Sequence, residues 1–215
     1  MSLSSLEQAS LNKIENRILY MGKLGLFGTL KEFYCWYQYL FNEAVPMRTF
    51  LKIFMKLIKS KVFINYDNLK HEYIYNSEIL FGNSVEFTFP IDLKCSPIQF
   101  VRSRMISFLK SHKVQEELLY DIIIASTEAV ENAVKYSSHD EIYIKYYIEN
   151  KTFYVEIRNH YEIPEIQKDI KRGKYDSSLT LMRGMLVMSK LFDEIDFDRI
   201  EDKKIAIFRA SKKLK

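Results

Sequence analysis

The feature that most constrains the fold is a change of period part-way along the chain. Up to about residue 80 the apolar residues recur at helical spacing. At Val85-Glu86-Phe87-Thr88-Phe89 they switch to strict alternation, which Pro90 ends, so a strand opens a second part. Ser96-Pro97 then supplies an N-cap with proline at the first helical position, and the helix it opens carries Phe100, Val101, Met105, Ile106 and Leu109 on one side. A longer helix is predicted over 114–136. Two alternating runs, 141–148 and 152–157, are joined at Glu149-Asn150-Lys151 as in a hairpin. Asp176 or Ser177 caps a helix over 178–192, and strands at 194–197 and 204–209 close the chain. The order β-α-α-β-β-α-β-β keeps the helices apart from a mostly antiparallel sheet, which predicts the α+β class and a two-layer α/β sandwich over 84–215.

The first part, 1–83, reads as a helical N-terminal region with helices over 6–21, 29–42 and 48–62, broken near Gly28 and Pro46. Its third helix places Phe50, Leu51, Phe54, Leu57 and Ile58 opposite Lys52, Lys56 and Lys59. Such a basic amphipathic face either packs on the rest of the protein or meets a partner or membrane surface, and packing is the expected outcome.

Composition narrows the chemistry. Of 215 residues, 47% are hydrophobic and the formal charge is +4, enough apolar material for a real core. No pair of the six glycines fits a G-x-G dinucleotide fingerprint or a P-loop. Cys35 and Cys95 are far apart and form no C-x-x-C, so zinc, a redox dithiol and a disulfide framework are not expected. A pI near 8.8 without a recognisable nucleic-acid module argues against nucleic acid as a partner. No leader or membrane span is read, which predicts a cytoplasmic protein.

The helix over 114–136 is the informative one. Leu118, Leu119, Ile122, Ala125, Ala129, Val130 and Ala133 form a core stripe, while Asp121, Glu128, Asn132 and Lys135 fall within roughly a sixth of a turn of one another as a second stripe. A carboxylate, a carboxamide and an ammonium in succession can orient a nucleophile, ligate magnesium and neutralise phosphate.

The run Glu128-Ala129-Val130-Glu131-Asn132-Ala133-Val134-Lys135-Tyr136-Ser137 resembles the N box of the Bergerat-fold ATPases (gyrase, Hsp90, histidine kinase and MutL). The surrounding order is similar to the anti-sigma factor serine/threonine kinases of that superfamily. The resemblance implies a histidine kinase-like ATPase domain over 84–215, with ATP and magnesium as cofactors. It makes Asn132 the metal ligand and Glu128 the catalytic group that orients or deprotonates an attacking hydroxyl. Lys135 would lie near the phosphates and Tyr136 against the nucleoside. Asn159 stands where the family's aspartate accepts from the adenine amino group, but His160, Tyr161 and Glu162 take the place of the turn's glycines. In the lid, Ser177, Ser178 and Thr180 replace glycines ahead of a helix N-terminus. These substitutions predict weak nucleotide binding.

The function implied is a signal-transduction regulator that binds a protein partner, of the sigma factor or anti-sigma antagonist type, and passes phosphate to its Ser or Thr. A homodimer is compatible with the resemblance, and a membrane surface is not expected. A nucleotide-free protein-binding module of the same fold is the alternative.

Overall fold

The computed structural model describes residues 5–77, 81–92, 96–139, 141–161 and 176–214, with side chains described from residue 8 onward and, in the last helix, from Gly184 onward. The elements are α1 (Ser5–Lys23), α2 (Leu30–Phe41), α3 (Met47–Lys59), β1 (Phe63–Asp67), β2 (Glu72–Tyr75), β3 (Ser84–Pro90), α4 (Pro97–Ser111), α5 (Glu116–Tyr136), β4 (Glu141–Glu149), β5 (Thr152–His160), α6 (Asp176–Leu191), β6 (Glu194–Ile200) and β7 (Ile205–Lys213). They form two compact units, Met1–Leu80 with Leu93–Ser111, and Phe81–Asp92 with His112–Lys215.

In the first unit, local signals start and stop the helices and an aromatic core holds them. The Thr29 hydroxyl accepts from the Glu32 N–H at 3.3 Å while the Glu32 carboxylate accepts from the Thr29 N–H at 2.7 Å, a capping box that opens α2. Asn42, left-handed at φ 43°, ends it. The apolar face of α3 is buried through Phe50, Ile53, Phe54 and Leu57, and Lys56 reaches Glu15 at 2.9 Å on the outside. Ring meets ring through the interior: Phe54 lies 4.7 Å from Phe63 and Trp36 lies 5.7 Å from Phe100. The last contact shows that α4, although it follows β3 in the chain, completes this core. Its Ser107 hydroxyl donates to the Gly25 carbonyl at 2.8 Å within the same interior.

Two features depart from expectation. The region read as purely helical also contains an antiparallel hairpin, β1 with β2, pairing Phe63 with Tyr75 and Ile64 with Ile74. Its turn is closed by Asp67, whose Oδ1 accepts from the N–H groups of Leu69 and Lys70 at 2.9 and 3.2 Å, an Asx turn that needs no glycine. Cys35, expected as a thiol, is disulfide-bonded.

The second unit is a five-stranded antiparallel sheet in the order β3-β4-β5-β7-β6, with α5 packed on β5 and on α6. The period-2 alternation sends Ile142, Ile144 and Tyr146 of β4 and Phe153, Val155 and Ile157 of β5 to the buried face. Asn150 and Lys151, both at positive φ (49° and 57°), make the tight turn between those strands. Helices on one face of an antiparallel sheet give the expected α+β class and two-layer sandwich. Among the described residues no helix is long and apolar enough to cross a membrane.

Candidate functional site

Helix α5 opens with Glu116 and Glu117 at its positive end and carries Lys135 in its last turn, both favourable to the helix dipole. One stripe, including Leu119, Ile122, Ala125, Ala129, Val130 and Ala133, is buried. Beside it Asp121, Glu128 and Asn132 are half-buried and Lys135 is exposed. The second stripe therefore lies at the margin of the core, neither within it nor facing open water throughout.

Helix α6 packs on α5, and it comes close to that margin at Gly184. A Cβ placed there would stand 3.1 Å from Oε2 of Glu128 and 3.3 Å from Nδ2 of Asn132. Any side chain at this position forces the carboxylate or the carboxamide to move. The motifs of the sequence do not single out Gly184 as a site residue. The available signal is a glycine inside a helical pattern, which costs about 1 kcal/mol relative to alanine and so points to a close approach. The side chains of Ser177, Ser178 and Thr180 lie outside the described residues.

The end of α5 is tied to the end of β5, the strand that carries the predicted Asn159. The Ser138 N–H donates to the His160 carbonyl at 2.9 Å. The His139 and His160 rings stack there at 4.1 Å. Asn159 and His160 are strand residues, paired with Ala206 and Ile205 of β7, so His160 is not part of the turn expected there, and Glu162 lies outside the described residues. Asn159 continues the inward series of Phe153, Val155 and Ile157. Its Nδ2 donates to the His160 carbonyl at 3.2 Å, which leaves the carboxamide oxygen as the group available to an incoming donor. Among the described residues the buried Tyr136 hydroxyl has no hydrogen-bond partner, and the Lys135 ammonium sits 5.2 Å from the Tyr136 ring centroid.

The electrostatics are acidic at the centre of the stripe. Partial burial first, and the Glu128 charge second, hold the Glu131 carboxyl above the ordinary carboxylate range, even though the residue as a whole is exposed. A cation near Glu128 would relieve that repulsion. Among the described residues no group of three or more His, Cys, Asp and Glu side chains is gathered to hold a metal. The Asn132 carboxamide oxygen alone is an incomplete shell, with the Glu128 carboxylate a helical turn away as a group that can accept a proton. Such a shell suits magnesium, which keeps several waters and takes its remaining ligands from phosphate. The unspent acceptor of Asn159 and the orphaned hydroxyl of Tyr136 likewise suit a ligand with polar edges, so the residues present fit a magnesium nucleotide.

No curated protein matches the sequence. The profile of the histidine kinase-like ATPase domain matches residues 94–209, more than half of the chain and including α5 with its Glu128 and Asn132 stripe. The chain belongs to the histidine kinase-like ATPase domain family.

Proposed function

We propose that this protein is a cytoplasmic signalling regulator that binds magnesium ATP in the second unit and transfers phosphate to a Ser or Thr of a protein partner. The observation that carries this reading is the apposition of Glu128 and Asn132 to Gly184, where a glycine leaves the carboxylate and the carboxamide the space that a Cβ would take. Bound ATP supplies the phosphoryl group. Asn132 holds the magnesium through its carboxamide oxygen. Glu128 accepts a hydrogen bond from the attacking hydroxyl and takes its proton. Lys135 sets a positive charge beside the phosphates, Tyr136 borders the nucleoside and the Asn159 oxygen accepts from the base. In this reading Ser177, Ser178 and Thr180, in the first turns of α6, belong to the cofactor-binding set. The partner is a regulatory protein of the sigma factor or anti-sigma antagonist type.

A nucleotide-free binding module is the second reading, favoured by one observation: a neutral carboxamide at Asn159 lacks the charge assistance that roughly doubles hydrogen-bond strength. Calorimetric titration with ATP, with and without magnesium, separates the two. Magnesium-dependent binding that Asn132→Ala abolishes supports the first, and no heat at any nucleotide concentration supports the second. Glu128→Gln should keep binding and lose transfer to a Ser- or Thr-bearing acceptor.

A further inference from the structure

Among the described residues of the second unit, the five-stranded sheet has one face beneath the helices and one face that none of them covers. On the open face the strand register sets one residue from each strand into a single transverse row. Glu86 lies opposite Lys145, Lys145 opposite Glu156, Glu156 opposite Arg209, and Arg209 opposite Asp196. The charges alternate without interruption across all five strands. A hollow of about 360 Å³ lies over this face. In the flanking rows Tyr143 is opposite Arg158 and Tyr147 is opposite Tyr154, the two tyrosine rings stacking at 4.8 Å.

Lateral pairing explains part of this pattern. Lys145 lies 3.7 Å from Glu86, and Arg209 lies 2.8 Å from Glu156 and 3.3 Å from Asp196. A face meant only for water has no need of three tyrosines beside the charges, however, and tyrosine and arginine are the residues that the centres of protein interfaces favour. Burial already pushes the Tyr143 and Tyr147 hydroxyls above their ordinary values.

We propose that this open sheet face is an interface between two copies of the chain, packed face to face about a two-fold axis running along the strands between β4 and β5. Such an axis exchanges β4 with β5 and β3 with β7. Lys145 then meets the other copy's Glu156, and Glu86 meets its Arg209. Tyr143 meets Arg158 as ring against guanidinium, and Tyr147 meets Tyr154. An axis lying over a strand fails, because an axis on β5 sets Lys145 against Arg209. An axis along the row also fails, because it sets every charge on itself. An axis between β5 and β7 keeps the central row complementary but brings Tyr147 onto Glu194. Of the two positions between strands that oppose four strands, β4–β5 alone satisfies the central and the flanking rows together, and the pairs nearest that axis are the least disturbed by sheet twist. The axis opposes four strands, and four strands about 4.8 Å apart and about seven residues long project roughly 440 Å². That is a little over half of the roughly 800 Å² per partner of a standard interface. The inference is independent of nucleotide binding.

The test uses the full chain and two variants, Lys145→Glu and Glu156→Lys, followed by analytical ultracentrifugation. Each variant alone sets like charges against each other at the axis and should loosen the dimer by about a hundredfold or more. When the two variants are mixed, a chain with carboxylates at both positions faces a chain with ammonium groups at both. Every pair across the axis is again of opposite charge, so a dimer should reform only in the mixture. A parent chain that is monomeric at about 100 µM, where a micromolar interface would be filled, overturns the proposal. So does a dimer that both variants retain, or a mixture of folded variants that stays monomeric. If the variants do not fold, the parent chain decides: isotope-labelled and unlabelled copies are mixed and treated with a zero-length carbodiimide. A Lys145–Glu156 cross-link joining a labelled to an unlabelled chain supports the interface, and its absence overturns it.

Discussion

Around Trp36 the first unit meets itself ring against ring, with Phe33 and Phe100 on either side at 5.7 Å each, and the rings are sealed from water. Around Glu156 the second unit does the reverse. A carboxylate in the middle of an open sheet face takes hydrogen bonds from Arg158 at 2.7 Å and Arg209 at 2.8 Å. The aromatic interior gains from area removed from water and from edge-to-face geometry, and it tolerates no loss of volume. The charged face gains little from any single pair, because each partner remains partly solvated. The aromatic interior therefore contributes to stability through burial, whereas the open sheet face contributes little and can place polar groups for binding.

The sharpest way to break this contrast is to remove the indole. Trp36→Ala deletes a fully buried side chain between Phe33 and Phe100 and should cost about 3–5 kcal/mol in urea melts. A cost below about 1 kcal/mol, the range of ordinary surface changes, would mean that the aromatic interior is not the source of stability. A smaller probe of the same interior is Ser107→Ala. It strips the Gly25 carbonyl of its buried partner and should cost about 1–2 kcal/mol, and a neutral result would show that water replaces the hydroxyl.

In the second unit the corresponding probe is functional. Gly184→Ala gains helix propensity, about 1 kcal/mol, but places a methyl 3.1 Å from the Glu128 carboxylate and 3.3 Å from Asn132. The carboxylate can swing aside, so the melting midpoint should move little. Magnesium-ATP affinity should fall about tenfold, equivalent to about 1.4 kcal/mol. If affinity holds while stability drops, the glycine serves packing of α6 on α5 and not the ligand.

What the sequence discloses and what it hides follow the same division. The alternation of β3, β4 and β5 and the two stripes of α5 are legible because one face of each is buried and the other is not. Helix α4 is only half legible. It is buried nearly all round, from Phe100 to Leu109, and its Ser103 and Ser107 read as polar although both hydroxyls donate to backbone carbonyls inside the unit. The β1–β2 hairpin escapes a sequence reading because only Phe63 of β1 is buried and its turn is made by aspartate instead of glycine. At the candidate site the residue types of Glu128 and Asn132 announce themselves. The partner across from them does not, since a glycine declares a close approach without declaring to what.

The smallest predicted effects are the ones that set the two units against each other most directly, because they should have opposite signs. In the first unit Glu72 is buried, and burial is the main cause that raises its carboxyl above the ordinary range. Glu32 and Asp67 add to the rise, while Lys70 and Arg102 oppose it. The folded chain holds this proton to higher pH than the unfolded chain does, so the native state binds more protons just above the ordinary carboxylate value and stability falls there as pH rises. In the second unit burial also pushes Glu156 up, but hydrogen bonds from Arg209 and Arg158, with their charges, outweigh it and hold the carboxyl low. The unfolded chain then binds more protons in the window just below the ordinary value. Stability rises with pH through that window and is lost as pH falls through the folded value. Because Arg209 is 41% exposed and Arg158 45% exposed, the Glu156 contribution should be no more than about 1 kcal/mol. Urea melts between about pH 3 and about pH 7, the span over which carboxylates titrate, resolve both. Glu72→Gln should be more stable than the parent at neutral pH and should lose the falling limb. Glu156→Gln should be less stable at neutral pH and should lose the rising limb. If the two variants shift stability in the same direction at neutral pH, the units do not handle buried charge differently, and the contrast between a dry aromatic interior and a paired charged face fails at the carboxylates that define it.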